Sequence, residues 1–356
     1  MLGCLTAAVT LGLAGAVASA QTPPPPPASA PPEPRFTFSG LVFGDYYYFS
    51  QDHDEAWQGQ EGFWLRRIFF TFDYTFSPKI STRLRLEMNS NGKLAGTTIT
   101  PYVKDAWLRW SFSRRQQLTL GLQPSISMDY IESVWELRHI EKTPLDLYKV
   151  DHTRDTGISV EGPLNSAQTI SYRAQFGNDS GSNSETDRYK DLKLSMRYAA
   201  PTGFTVEGVY AYFAHEAHAN RTLLQAFVAY RAKQARAGLQ YAFQQRHAPD
   251  GTADSDLRLD IYSGFAVANL KPGKFSVFAR IDRYNDPCPD CASIDYLPID
   301  TSAPFTMVLA GVEYYLHPSV RFSPNVEWVA YSAPEAAGVA APKDDVVWRA
   351  TFYWAW

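Results

Sequence analysis

The sequence predicts an all-β protein, a transmembrane antiparallel β-barrel of about sixteen strands that occupies residues 36–356. Segments of about ten residues alternate apolar and polar side chains along this range, as the strands of such barrels do. Short turns and longer polar loops alternate between these segments. Aromatic residues make up 14% of the chain, although its mean hydropathy is only -0.28. A polar, aromatic-rich chain with this rhythm is typical of a barrel whose outer face meets lipid.

The start of the chain predicts export and an extended segment before the barrel. Residues 1–20 are small and apolar and end in Ala18-Ser19-Ala20, which predicts a signal peptide cleaved before Gln21. A transmembrane anchor is the alternative, but Gly and Ser thin this run, and a span needs roughly 20 clean apolar residues. Residues 21–35 are rich in proline, which favours an extended chain and supplies no N–H group for a sheet.

The clearest single strand is the segment Trp64–Phe76. Trp64, Arg66, Phe70 and Phe72 fall on one face, which is largely apolar and aromatic, whereas the other face mixes charge, hydroxyl groups and some bulk. Because successive side chains of a strand point to opposite faces, this alternation predicts a strand. Its apolar face meets either the core of a soluble barrel or sandwich, or the lipid around a membrane barrel. The rest of the chain favours the membrane barrel.

The same alternation recurs along the chain. About sixteen strands is an even number within the range of outer-membrane barrels and leaves a water-filled lumen. A β-sandwich with Greek-key crossings would not alternate short and long connections so regularly. The last segment ends on an aromatic residue, as outer-membrane barrels typically do. The predicted strands are Phe36–Phe49, Trp64–Phe76, Ile80–Asn89, Tyr102–Phe112, Leu118–Leu122, Ile158–Gly162, Thr169–Gly177, Asp191–Tyr198, Phe204–Phe213, Thr222–Arg231, Ala235–Gln244, Leu257–Val267, Phe275–Arg283, Thr306–Leu316, Val320–Tyr331 and Val346–Trp356.

The polar faces of these strands carry more arginine than acid, although the whole chain has a net charge of -4. In a membrane barrel these faces line the lumen, and rings of Arg and Lys favour anions in a pore. The alternative is that the arginines only keep the lumen wet and pair with acids across strands. The slightly acidic chain has no basic footprint for nucleic acid. The predicted pore-lining residues are Arg67, Arg83, Arg85, Arg109, Arg173, Arg197, Arg231 and Arg280.

One connection, between Gln123 and Asp155, is longer than the others and lacks the alternation. A connection this long in a compact fold is usually functional or disordered, and its apolar content argues against disorder. We expect it to fold into the lumen as a constriction loop, and an outer cap over the barrel is the alternative. Acids outnumber bases in this loop, which works against a simple anion filter. Its predicted site residues are Asp129, Glu132, Glu136, Arg138, Glu141 and Lys142.

Short motifs in the first half of the predicted barrel resemble the phosphate-selective porins O and P family of Gram-negative outer membranes. The motifs are Phe63-Trp64-Leu65-Arg66-Arg67, Lys104–Trp110, Gly121–Pro124, Arg138–Glu141 and Asp155–Gly162. The second half matches only in strand rhythm. The resemblance implies a sixteen-stranded trimeric porin with an inward constriction loop. In that family, the phosphate binders use clustered Arg and Lys at the constriction.

Cysteine and histidine give little support for catalysis. Cys288 and Cys291 remain after removal of the signal peptide, and in an exported loop we expect them to form a disulfide. A redox motif would need a thioredoxin-like context. The seven histidines lie mostly in loops and turns, and none shares a strand face with a serine near the barrel rim. We therefore assign no catalytic residue, no metal ligand and no cofactor.

Together these features predict a channel in the outer membrane of a Gram-negative bacterium. We expect a water-filled pore for passive diffusion of small hydrophilic solutes, with a preference for phosphate or other anions. The expected partners are outer-membrane lipid, these solutes and two further copies of the chain, with no nucleic acid. The alternative is a non-conducting outer-membrane barrel that acts as an enzyme or an adhesin.

Overall fold

A computed structural model describes residues 35–90, 98–286, 288–294, 296–334 and 338–356. The predicted signal peptide and the proline-rich segment, except for Arg35, lie outside the described residues. Within the part of the chain that the structure describes, no helix is both long enough and apolar enough to cross a bilayer.

Sixteen antiparallel strands form one closed barrel, in which each strand pairs with its neighbours in sequence and the first strand pairs with the last. This confirms the predicted fold class. The strands are β1 (Arg35–Gln51), β2 (Glu61–Ser77), β3 (Ile80–Asn89), β4 (Thr100–Trp110), β5 (Gln117–Pro124), β6 (Arg154–Pro163), β7 (Ile170–Gly177), β8 (Asp191–Ala199), β9 (Phe204–Phe213), β10 (Arg221–Arg231), β11 (Ala235–Arg246), β12 (Leu257–Lys271), β13 (Phe275–Tyr284), β14 (Phe305–His317), β15 (Val320–Tyr331) and β16 (Asp345–Ala355).

The two faces of the barrel wall differ as a membrane barrel requires. In β16, Trp348 and Trp354 are exposed on the outside, whereas Arg349 and Thr351 are buried on the inside. The same outward exposure is found at Trp110 of β4. An apolar exterior fits the hydrocarbon of a bilayer, where a polar group would lose its water without replacement. These three tryptophan side chains therefore face lipid rather than a soluble core.

Connections at the two ends of the barrel differ in length. One end has tight turns, such as residues 78–79 between β2 and β3 and residues 318–319 between β14 and β15. The other end has longer segments, such as 52–60 and 178–190. Two short 3-10 helices, Glu216–His218 and Pro289–Ser293, lie in these longer segments. We call the two ends the turn end and the loop end.

A β-bulge interrupts the alternation in β2. Phe43 of β1 pairs with Arg67 of β2, but Asp45 pairs with Trp64, so β2 has one residue more than β1 in this interval. Gly44 lies opposite the bulge, and a Cβ atom there would lie 2.2 Å from the Trp64 carbonyl oxygen. The close approach of the two backbones therefore needs glycine at this position.

The bulge turns Trp64 and Arg66 into the barrel. The Trp64 ring lies 5.2 Å from the ring of Tyr296, which packs against the buried core. Arg66 is buried, and its Nη2 donates to the carbonyl oxygen of Ile140 at 2.9 Å. The prediction that Trp64 and Arg66 share the lipid-facing side is therefore wrong. One extra residue in a strand exchanges the inward and outward directions of the side chains beyond it.

The long connection between β5 and β6 folds into the barrel, as predicted. It contains two helices, α1 (Ile126–Trp135) and α2 (Pro144–Leu147). Trp135 and Tyr148 are fully buried, and their rings pack 5.1 Å from Phe265 and 5.3 Å from Phe305 on the barrel wall. Burial of such aromatic rings fixes the loop against one side of the lumen. We call residues 125–153 the constriction loop.

Candidate functional site

The constriction loop binds to one side of the barrel through its backbone carbonyl groups. Gln225 of β10 donates to the carbonyl oxygen of Ser127 at 2.9 Å, and Gln244 of β11 donates to that of Val150 at the same distance. Arg280 of β13 donates to the carbonyl oxygen of Lys142. These bonds satisfy buried backbone groups that would otherwise cost free energy. Cavities beside the loop are lined in part by residues of β2, β3 and β4.

Arginine and lysine residues of the barrel wall neutralise several acids of the constriction loop. Asp129 pairs with Arg173 at 3.0 Å, and Asp151 pairs with the buried Lys193 at 2.8 Å. Glu136 pairs with both Arg231 and Arg236. The sequence alone predicts that loop acids oppose an anion filter, but these partners offset their charge. The further pairs are Glu141 with Arg349 and Arg66.

Glu141 is buried among several charged groups. Burial alone would raise the pKa of Glu141, but Arg349 and Arg66 outweigh burial and hold the pKa at about 2. The Tyr296 hydroxyl also donates to this carboxylate. Glu141 is therefore ionised and compensated, and it attaches the loop to the seam between the first and last strands.

The loop edge that faces the passage retains acidic character. Arg138 contacts both Glu132, at 3.1 Å, and Asp146. Two carboxylates therefore share one guanidinium group. Lys142 is buried nearby, and burial lowers the pKa of its ammonium well below the ordinary value.

Two wall carboxylates opposite the loop are each shared by two cations. Glu87 of β3 lies between Arg67 and Lys104, with 3.1 Å to the Lys104 Nζ. Asp105 of β4 lies between Arg85, at 3.3 Å, and Arg154. Guanidinium groups stay charged at physiological pH. Even without Lys104, the three arginines therefore outnumber the two carboxylates. We call these six residues the basic wall: Arg67, Arg85, Glu87, Lys104, Asp105 and Arg154.

The basic wall continues toward the turn end. Arg109 and Arg83 lie on either side of the Trp107 ring, with their guanidinium carbons 4.6 and 5.6 Å from its centroid. Arg83 also forms an ion pair with Asp73 at 2.7 Å. Stacking on an aromatic face holds a guanidinium group in place while leaving it a cation. The arginines therefore form a line along the passage.

Two cavities lie along this wall. One of about 390 Å³ is lined by Arg85, Glu87 and Arg154 on the wall and by Glu132 on the loop. The other, about 80 Å³, lies toward the loop end and is lined by Arg67, among other residues. Arg138 lines both cavities. Arg138 on the loop and residues of the basic wall therefore line the same two cavities.

The eight predicted pore-lining arginines all lie on the inner face of the barrel wall. They form groups that differ in what their side chains contact. One group belongs to the basic wall and its continuation toward the turn end: Arg67, Arg85, Arg83 and Arg109. Arg197 lies under the Tyr130 ring at 4.2 Å. The others bind the constriction loop: Arg173, Arg231 and Arg280.

The sequence patterns did not identify Lys104 or Arg154 as site residues. A second β-bulge explains why Lys104 was missed. Arg85 pairs with Asp105, but Leu86 pairs with Val103, so Lys104 is an extra residue in β4. Lys104 and Asp105 are consequently both buried on the inside. A strict two-residue alternation assigns neighbouring residues to opposite faces and cannot reveal this. Arg154 is the first residue of β6, immediately after the constriction loop.

The loop between β13 and β14 adds a further residue at the constriction. A disulfide joins Cys288 to Cys291, with 5.4 Å between their Cα atoms. Farther along this loop, the Tyr296 ring lies 4.9 Å from the Lys142 Nζ. No pattern in the sequence identifies Tyr296, because its position depends on the folding of an irregular loop.

The sequence matches no protein-family model and no curated protein. The fold is similar to an anion-selective porin from Comamonas acidovorans, with a TM-score of 0.67 and 12% identity over 91% of this chain and 100% of that chain. It is similar to the trimer form of OmpT, an outer-membrane protein of Vibrio cholerae, with a TM-score of 0.60 and 14% identity over 90% and 99%. It is also similar to the outer-membrane channel DcaP of Acinetobacter baumannii, with a TM-score of 0.63 and 9% identity over 91% and 97%. The chain therefore has the fold of a Gram-negative outer-membrane β-barrel, as predicted.

Proposed function

We propose that this outer-membrane barrel is a porin whose water-filled channel favours passive diffusion of small hydrophilic anions. The basic wall is the observation that carries the proposal, because three guanidinium groups and Lys104 share only two carboxylates there. Cationic side chains that line a pore favour anions. Screening by salt is weaker beside partly buried charges than in open water. An anion at the constriction therefore experiences a favourable wall.

The acidic loop edge opposite the wall shapes this preference. Arg138 is shared by Glu132 and Asp146, so the field across the passage runs from a positive wall to a negative edge. Anions pass along the wall side of such a gap. The line continues at Arg109, which extends the favourable path toward the turn end.

Phosphate is the finer proposal within this function. The sequence resembles the phosphate-selective porins O and P, and guanidinium groups match phosphate oxygens with paired hydrogen bonds. If phosphate binds the basic wall, phosphate added to a chloride solution reduces the chloride current at concentrations where sulfate does not. Equal effects of the two anions would indicate a general anion channel.

Planar-bilayer recording of the purified protein tests the porin proposal directly. We expect discrete conductance steps. Replacing chloride by the bulky anion gluconate should reduce the current more than replacing potassium by a bulky organic cation. A protein that inserts without conducting would contradict the proposal and favour an enzyme or an adhesin.

We also propose that three copies of the chain assemble, as the family resemblance implies. The similar fold of a solved trimer supports this. The mass of the protein in detergent, measured by light scattering with the detergent contribution subtracted, should equal three chains. A mass of one chain would contradict the trimer without affecting the channel proposal.

A further inference from the structure

Three potential metal ligands meet at the loop end of the seam between the first and last strands. Asp52 and His53 directly follow β1, and Asp345 is the first residue of β16. One side-chain ligand atom from each of the three lies within 4.8 Å of the others. His53 Nδ1 lies 2.9 Å from an Asp345 carboxylate oxygen and 3.6 Å from an Asp52 oxygen. The cluster lies outside the pore constriction.

Asp52, one of the three ligands, has a buried carboxylate oxygen without a hydrogen-bond partner. The residue is only 1% exposed, and its Oδ2 has no hydrogen-bond partner among the residues that the structure describes. Its other oxygen accepts a hydrogen bond from the Asp54 backbone N–H at 2.9 Å. A buried carboxylate oxygen without a partner costs free energy, so its presence needs an explanation.

Asp52 lies beside a second buried carboxylate, that of Asp345. Asp345 itself has several partners: the His53 backbone N–H at 2.6 Å, the His53 ring and the Tyr331 hydroxyl. Without a cation, two buried carboxylates face one another with one imidazole between them. A metal ion would compensate both charges.

We propose that Asp52, His53 and Asp345 bind a divalent first-row transition-metal ion such as Zn²⁺. One imidazole and two carboxylates suit Zn²⁺ and related ions, whereas Ca²⁺ and Mg²⁺ prefer oxygen ligands alone. The two strands that close the barrel each supply part of the site. The ion would therefore link the outer ends of the seam by replacing the hydrogen bond between the His53 ring and Asp345.

Calorimetric titration of the folded, detergent-solubilised full chain with Zn²⁺ tests the site. The protein is first treated with a chelator and dialysed. We expect one ion per chain. Asp52→Asn keeps the side-chain shape and removes the charge, and it should weaken binding by about tenfold or more. His218→Ala is the matched control, because His218 forms an exposed pair with Asp250 in a different loop, and it should leave this binding unchanged.

A second variant and a second signal keep the test decisive. His53→Ala should also weaken Zn²⁺ binding, and Co²⁺ bound to the wild-type protein should give visible absorption that His53→Ala changes. Heat-dependent migration on a denaturing gel checks that each variant is folded. Absence of Zn²⁺ binding to wild type, or equal binding by folded Asp52→Asn and wild type, would overturn the proposal. Neither result depends on conductance, so the channel function is tested separately.

Discussion

At the scale of single residues, the charge of the basic wall depends on the sharing of carboxylates. Asp105 lies between Arg85 and Arg154, and Glu87 lies between Arg67 and Lys104. An ordinary cross-strand ion pair would leave no net charge. When two cationic side chains share one carboxylate, the three groups together keep a net positive charge. Removal of a cation and removal of a carboxylate from the basic wall should therefore change ion selectivity in opposite directions.

Arg85→Gln removes a cation from the basic wall and should reduce anion preference. A unit charge about 5 Å from a passing ion in water contributes about 0.8 kcal/mol, which disfavours the anion roughly fourfold and favours the cation roughly fourfold, so the anion-to-cation permeability ratio should fall roughly sixteenfold. Permeability ratios from bilayer recordings measure this change. Arg258→Gln is the matched control, because Arg258 is exposed and pairs with Asp260. An equal effect of both substitutions would show that Arg85 does not line the path.

Glu87→Gln removes a carboxylate from the same wall and should increase anion preference. The glutamine keeps the size of the side chain while Arg67 and Lys104 lose a counter-charge. By the same Coulomb estimate, the permeability ratio should rise roughly sixteenfold. A fall in the ratio would mean that the current does not pass the basic wall. The free energy of unfolding should also decrease, because two wall cations lose their partner.

At the scale of structural elements, the constriction loop is held by buried aromatic side chains and by wall arginines. Trp135 packs against Phe265 and Phe278, and its Nε1 donates to the Glu141 carbonyl oxygen at 2.8 Å. The loop therefore forms a compact body with its own internal bonds. Its position against the wall determines the width of the passage.

Trp135→Ala should loosen the loop and widen the channel. Truncation of a buried aromatic side chain costs about 3–5 kcal/mol of stability. Because the barrel strands keep their own hydrogen bonds, we expect the loss mainly in loop docking, with larger and noisier single-channel currents. Phe63→Ala is the control, since Phe63 is exposed at 82%. Unchanged currents in Trp135→Ala would show that the loop does not set the conductance.

The elements of the barrel could be predicted from the sequence, because lipid outside and water inside impose the same alternation on each strand. The bounds of Ile80–Asn89, Phe204–Phe213 and Val320–Tyr331 agree with the structure. The two bulges could not be predicted, since each depends on how two strands pair. They place Arg66 and Lys104 inside. The partners of the loop acids were equally hidden, because they come from distant strands.

At the scale of the whole molecule, the barrel wall separates an apolar exterior from a charged lumen. Its net charge of -4 gives no indication of ion preference, since acids and bases are distributed unevenly. Acids such as Asp54 and Asp187 lie in loops outside the wall, whereas the basic wall lies at the constriction. Selectivity is set by the charges that an ion passes at close range, because distant charges are screened by salt.

The reversal potential of the wild-type channel in a potassium chloride gradient is the most direct test of the basic wall. With both sides at the same pH, a surplus of cation at the constriction predicts a reversal potential displaced from zero toward the chloride equilibrium potential. Lower salt should increase this preference, since screening then weakens. A reversal potential displaced toward the potassium equilibrium potential would contradict the account.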